Sequence, residues 1–233
     1  MVSPKTSRSP REQTDHQRIR LVLLDGHVLF RESLARLLAS EHDFELVAEY
    51  TTSADALKSL KNREADVILV DADIAKEFIP RARGARCPGK TLVIASEMDA
   101  ASSALLLKYG ASGIFLSSDS SSRLVHAIKL VARGEAWLDQ KVIRGLAERY
   151  PDYDDRWFGT LRERERSVLE GIVNGLSNKK IGVQIGVSES TIKATLQSLF
   201  SKAGVRTRSQ LVRIALERSP HAVAEVDSRE SYG

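Results

Sequence analysis

Two short apolar runs in this chain each end on a carboxylate. Leu21-Val22-Leu23-Leu24 leads into Asp25, and Val67-Ile68-Leu69-Val70 leads into Asp71. Acids at the ends of neighbouring strands offer hard oxygen donors of the kind that hold Mg²⁺ and support phosphoryl chemistry. Ser96, closing a further run Lys90–Ala95, adds a hydroxyl beside them. Polar residues are ordinary where strands emerge, but two acids on adjacent strands beside a hydroxyl favour a site. A second set lies far downstream. Lys193, Ala194 and Gln197 share one face of a predicted helix, with Ser190 and Ser201. A lysine can donate to guanine or phosphate, a glutamine pairs bidentately with adenine, and an alanine is small enough to meet a thymine methyl. Lys179, Lys180, Thr191 and Lys202 suit phosphates, which position a protein on a duplex without specifying sequence. A solvated helix that binds protein is the competing reading of that face.

The elements that must position these residues follow from periodicity. Ile19–Leu24, Phe44–Glu49, Asp66–Val70, Lys90–Ala95 and Gly113–Leu116 have strand length and carry β-branched or aromatic residues. Helical stretches are predicted between and after them, at 27–40, 53–61, 74–85, 98–109 and 120–133, the third interrupted by Pro80 and Gly84. Such a β-α alternation implies a doubly wound parallel sheet of five strands, order 2-1-3-4-5, with both faces covered. That order makes the strands ending in Asp25 and Asp71 neighbours. The rhythm stops after residue 136, and 137–159 is expected to be a linker with some helix at 142–150. From 160 to 218 the pattern is all helical, with predicted helices near 162–174, 178–185, 189–203 and 208–217. Ser177 and Ser188 are placed as N-caps, and Gly186-Val187-Ser188 as the tight turn between two short helices, the layout of a helix-turn-helix. Residues 1–18 read as a disordered arm and 219–233 as a tail.

Composition narrows the classes. Of 233 residues 42% are apolar, too many for a disordered chain, and the net charge is +4. That modest charge is a cancellation: 21–159 carries −3, whereas 160–218 carries +6. A basic module behind an acidic one is the asymmetry expected when one part touches nucleic acid. Cys87 is the single cysteine, which excludes a disulfide framework and Cys-based zinc sites and fits a reducing cytoplasm. No run approaches the roughly 18 apolar residues of a membrane span. His27, His42 and His126 have no paired spacing and are placed on surfaces or helix flanks rather than as ligands.

Residues 19–134 resemble a response-regulator receiver domain of the NarL/FixJ class. The resemblance rests on Ile19–His27, on Asp66–Asp71 as the phosphoacceptor strand, on Ser96 at the hydroxyl position, and on Gly110–Gly113 and Gly134–Ala136. It implies phosphoryl transfer to Asp71 by a histidine kinase, with Mg²⁺ held by Asp25 and Asp71. The departures fall in the pocket. Gly26 stands where a second acid is usual, Ser117 where a lysine is, Ile114 at the switch aromatic, and Ala75 at a proline. Asp25 and Asp71 without a lysine leave the pocket at −2, the same formal charge as three carboxylates with one. A metal-organising acid and the cation for phosphoryl oxygens are nevertheless gone. Asp73 could replace a metal ligand; nothing replaces the cation. The receiver is therefore expected to act with weak or no phosphorylation, with no other catalysis. A conventionally phosphorylated regulator remains the alternative. Asp71-Ala72-Asp73 as a dehalogenase-like phosphohydrolase motif is disfavoured, because two strands precede it and no cap domain is present.

The segment 161–211 closely resembles the LuxR-type DNA-binding domain, through Arg164-Glu165-Arg166, Gly175–Lys179, Ile181, Ser188–Lys193, Phe200, Lys202, Gly204-Val205 and Arg208. Arg162-Glu163 and Thr195 depart from its usual residues. By that resemblance Lys193, Ala194 and Gln197 contact bases, and Leu211, Ile214 and Ala215 support a homodimer on double-stranded DNA. The whole reads as a DNA-binding transcriptional regulator of cytoplasmic location. The runner-up is a receiver-fold protein-interaction module without promoter specificity.

Overall fold

Period-two alternation in each apolar run sends side chains to both sides of a single sheet. In the computed structural model, which describes residues 18–60, 63–149, 157 and 159–218, the runs form β1 (Ile19–Leu24), β2 (Phe44–Tyr50), β3 (Val67–Asp71), β4 (Lys90–Ala95) and β5 (Gly113–Leu116). All pair in parallel. Leu21, Leu23, Val67, Leu69, Leu92, Ile94 and Phe115 enter the core on one face, under α1 (Val28–Ala39) and α5 (Ser121–Ala132). Val22, Leu24, Ile68, Val70, Val93 and Ile114 enter the other, under α2 (Ser53–Leu60), α3 (Ala72–Gly84) and α4 (Ala100–Tyr109). Strands buried on both faces are what a parallel sheet requires. Helix α3 runs through Pro80 despite a cost of about 3 kcal/mol for an interior proline. Phe78, Ile79 and Ala82 around it are buried, and their packing outweighs that cost.

The sheet has six strands, not five: order β2-β1-β3-β4-β5-β6, with β6 (Trp137–Leu138) pairing in parallel with Gly113 and Ile114. Gly113 makes this approach possible, because a Cβ there would lie 2.6 Å from the Trp137 carbonyl oxygen. The segment expected as a linker from 137 onward thus begins as sheet. It continues as α6 (Gln140–Arg149), which buries Val142 and Leu146 and packs against α4. The arm at 1–17, the tail at 219–233 and the segment 150–156 lie outside the described residues.

The basic region folds into α7 (Glu163–Val173), α8 (Asn178–Ile185), α9 (Glu189–Ala203) and α10 (Arg208–Arg218). Ser177 and Ser188 cap α8 and α9 as expected, accepting from the Lys180 and Thr191 amides. Gly186 ends α8 at φ +72, where a side chain would be strained. Helix α10 packs on α4, α6 and α7. Leu211 and Ala215, expected to support a dimer, are fully buried within the chain, and Ile214 is half-buried. One amphipathic face can serve either contact, and here the chain's own helices cover it. Ser209 Oγ donates to the Ala111 carbonyl, and Gln210 Nε2 donates to the Lys108 carbonyl at 3.1 Å. Arg208 is buried beside them and donates to Asn178 Oδ1 at 2.7 Å and to the Leu176 carbonyl.

Candidate nucleic-acid interface and acidic crevice

Helix α9 owes its orientation to a two-sided composition. Ile192, Leu196 and Leu199 are buried, while Lys193, Ala194 and Gln197 are exposed on the opposite face. Lys193 Nζ rests 2.9 Å from Glu189 Oε1, one helical turn back, and this contact holds the Glu189 carboxyl below its usual range. Lys179 and Lys180 are exposed at the start of α8. Thr191 is half-buried, its hydroxyl 2.8 Å from the Ser188 hydroxyl in the capping cluster.

Lys202, expected to suit phosphates, is exposed and also ties two helices together. Its Nζ donates to Glu165 Oε2 at 2.6 Å and approaches the Thr160 carbonyl at 3.4 Å. Glu165 is buried at 5% exposure, and it also accepts from the Ser198 hydroxyl at 2.8 Å and from the Arg162 amide at 2.9 Å. Burial alone would raise this carboxyl. The hydrogen bonds from Lys202, Arg162 and Ser198 outweigh it and hold the group at about 2. The cluster fastens α7 to α9 and thereby fixes the angle of the exposed face. Glu165 was legible only as a motif residue, since its side-chain partners Ser198 and Lys202 lie more than thirty positions away.

At the carboxyl edge of the sheet, Leu24 pairs with Val70, so Asp25 and Asp71 emerge side by side. Asp25 is 3% exposed. Asp71 caps α3, its Oδ1 accepting from the amides of Asp73 at 2.9 Å and Ile74 at 3.4 Å. Ser96 and Ser117 are exposed at the ends of β4 and β5, the Ser117 amide donating to the Ala95 carbonyl at 2.8 Å. The third acid-or-imidazole donor beside the two acids is His27 and not Asp73. Its Nδ1 lies 3.1 Å from Asp25 Oδ1, and its amide donates to the same oxygen at 2.7 Å. His27 is exposed at the N-cap of α1, the surface and helix-flank placement expected of it, and the turn from β1 into α1 brings its imidazole back over Asp25. Gly26 leaves room, for a Cβ there would meet Thr51 O at 3.8 Å and Ile74 Cδ1 at 3.9 Å, ordinary contacts.

Comparison with known proteins agrees with this two-part layout. Residues 160–215 match the family of bacterial regulatory proteins, luxR family. Over 222 residues the chain is 32% identical to the transcriptional regulatory protein DegU of Brevibacillus brevis, covering 86% of this chain and 94% of the relative. The chain belongs to the NarL/FixJ class of response regulators. It is also 31% identical over 193 residues to the nitrate/nitrite response regulator protein NarP of Escherichia coli, covering 81% of this chain and 90% of that one. A solved structure of two RcsB dimers bound to two parallel DNAs is 18% identical, with a TM-score of 0.53 over 86% of this chain and 99% of its own; it shows the shared fold alone. As a response regulator of this class the protein is a DNA-binding transcriptional regulator. Residues 160–215 carry the matched helix-turn-helix, and Gly26 and Ser117 stand at the receiver edge.

Proposed function

We propose that the protein reads a promoter as a homodimer through α9 and is controlled without phosphorylation of Asp71. Lys193, Ala194 and Gln197 face the bases, and Lys179 and Lys180 face phosphates. The observation that carries this reading is the division of α9: three base-compatible side chains stand exposed along one face while the other face is locked into the core. Relatives whose names denote transcriptional and nitrate/nitrite regulation support it. Among the described residues no helix is long and apolar enough to cross a membrane.

For Mg²⁺ and a phosphoryl group, the residues present do not fit. One oxygen of Asp71 is engaged in capping α3, Gly26 gives no donor side chain, and among the described residues no lysine or arginine ion-pairs with Asp25 or Asp71. Arg31 donates to the Asp25 backbone carbonyl at 2.7 Å and faces Glu49 at 3.6 Å. A histidine kinase is therefore not required by this reading. A titration of promoter DNA with wild type and Asp71→Ala, each with and without a small phosphodonor and Mg²⁺, tests it. Four equal affinities and no labelling are expected. Stoichiometric labelling of Asp71 with a matching gain in affinity would return the protein to the phosphorylated reading.

A further inference from the structure

At the other end of the strands from Asp25 and Asp71, where β4 and β5 begin, the receiver and the basic unit share a cleft of about 310 Å³. Its floor is apolar, from Ile68, Ile79 and Ala82, all buried. Its walls are cationic: Arg83 and Arg86 at the end of α3, Lys90 at the start of β4, and Arg206 in the turn between α9 and α10. Ser112 and Thr207 add hydroxyls, and none of the lining residues is acidic. The turn that carries Arg206 is pinned to the receiver. The Arg206 and Thr207 amides donate to Gln210 Oε1 at 3.0 and 3.2 Å, and Gln210 Nε2 donates to the Lys108 carbonyl at 3.1 Å.

Helix ends account for part of this charge. Both α3 and α4 finish at the cleft, and a helix carboxyl end carries about half a negative charge. Arg83 serves one of them, donating to the Tyr109 carbonyl at 2.8 Å, and Lys90 donates to the Ala132 carbonyl at 3.1 Å. Two half-charges against four whole ones leave the cleft at about +3. Arg86 and Arg206 are exposed, and their guanidinium groups meet no carboxylate among the described residues. Arg86 also occupies an unusual position. The Cys87 amide donates to the Ala82 carbonyl at 2.9 Å and the Arg86 amide to the Arg83 carbonyl at 3.1 Å, paired bonds of a helix stop whose left-handed residue is usually glycine. Arg86 holds that place at φ +52, and among the described residues no other residue with a side chain has a positive φ. Glycine would end α3 with less strain; arginine brings a charge to the cleft.

We infer that this cleft binds a small multivalent oxyanion, a phosphate ester or a polycarboxylate, between the receiver and the helix-turn-helix unit. Its volume lies at the small end of the roughly 300–1,000 Å³ of ligand pockets, which fits an anion of metabolite size. Arginine suits such a ligand, because its planar guanidinium pairs with two phosphate or carboxylate oxygens at once. An occupant draws on Arg83, Arg86 and Lys90 from one unit and Arg206 from the other, and so couples the receiver to the turn that follows α9. The site is independent of phosphorylation at Asp71, which lies at the opposite end of the sheet.

The test titrates the full-length chain calorimetrically with pyrophosphate and with citrate at physiological ionic strength. In parallel Cys87, the single cysteine of the chain and a lining residue of the cleft, is alkylated with and without each anion. One anion per chain and slower alkylation of Cys87 are expected, and the tighter of the two anions identifies phosphoryl or carboxylate as the preferred group. Arg86→Gly and Arg206→Gln should each weaken binding by roughly 10- to 100-fold, the loss of one charge-assisted pair. Arg86→Gly supplies the residue that the turn favours, so denaturant unfolding should show it at least as stable as the wild type, and misfolding cannot account for its loss of binding. Neither anion bound, binding that leaves Cys87 alkylation unchanged, or affinity unchanged in both variants overturns the site.

Discussion

The two ends of this molecule have met substitution differently. At the helix-turn-helix, departures from the family pattern fall at Arg162-Glu163 and Thr195. None is on the exposed face of α9, and Glu165, Ser198 and Lys202 still brace it. At the receiver edge the departures fall on the pocket itself, at Gly26 and Ser117, while the strands that carry Asp25 and Asp71 keep their register. The scaffold is thus shared, and on the reading proposed above only one of its two working edges has kept its chemistry. Binding to a duplex is a property of a surface and survives changes behind it. Phosphoryl transfer needs several groups converging on one atom, and such a site can lose members while the fold stays intact.

This contrast can be broken most directly by restoring what is missing. Gly26→Asp with Ser117→Lys puts back the acid and the cation at positions where the structure has room, and Asp71 should change from unlabelled to labelled by a small phosphodonor with Mg²⁺. An unlabelled double variant would mean that the α3 cap on Asp71, and not the absent groups, blocks the chemistry. Next in size is the reading face. Lys193→Ala with Gln197→Ala should weaken cognate DNA by about 2–4 kcal/mol, roughly 30- to 1000-fold at fixed salt. Equal loss on unrelated DNA would show that the face contacts phosphate only.

The brace behind that face is the third place to press. Glu165→Gln leaves Lys202 facing a neutral partner, and a loss of about 2–3 kcal/mol in denaturant unfolding is expected, below the 3–5 kcal/mol of a fully buried pair because Lys202 is part exposed. Its pH dependence has a definite sign. The folded-state value, about 2, lies under the ordinary 4.5, so the unfolded chain binds the proton more readily. The contribution is complete above about pH 4.5 and fades as pH falls toward 2. In Glu165→Gln that part of the acid sensitivity should vanish. Smallest is the seam between the two units. Ser209→Ala removes one hydrogen bond to Ala111, worth about 1 kcal/mol, and should appear as faster hydrogen exchange in α10 with little change elsewhere.

Local pattern explains how much of this was readable in advance. Strands β1 to β5, the caps Ser177 and Ser188 and the buried stripe of α9 follow from alternation and spacing within a few residues. Three features do not. Two residues, Trp137 and Leu138, are too short a run to announce a strand, and β6 exists because Gly113 exposes an approachable edge. Glu165 meets Lys202 only after α7 and α9 have packed. The apolar stripe of α10 is as compatible with a partner copy as with α4, so its sequence alone could not choose between them. The contact of His27 with Asp25 was unreadable for a related reason: an i, i+2 pair shares one face of a strand but stands about 7 Å apart, is non-adjacent on a helix, and converges only at the junction between the two.

One consequence follows from Asp71 capping α3. The carboxylate that any ion or phosphoryl group would engage is also the acceptor for the Asp73 and Ile74 amides. Occupancy at the sheet edge and the cap on the first turn of that helix therefore draw on the same carboxylate, through Oδ1. The protein carries its own reporter: the solvent exchange rates of two backbone protons register whatever the crevice holds, with no label attached.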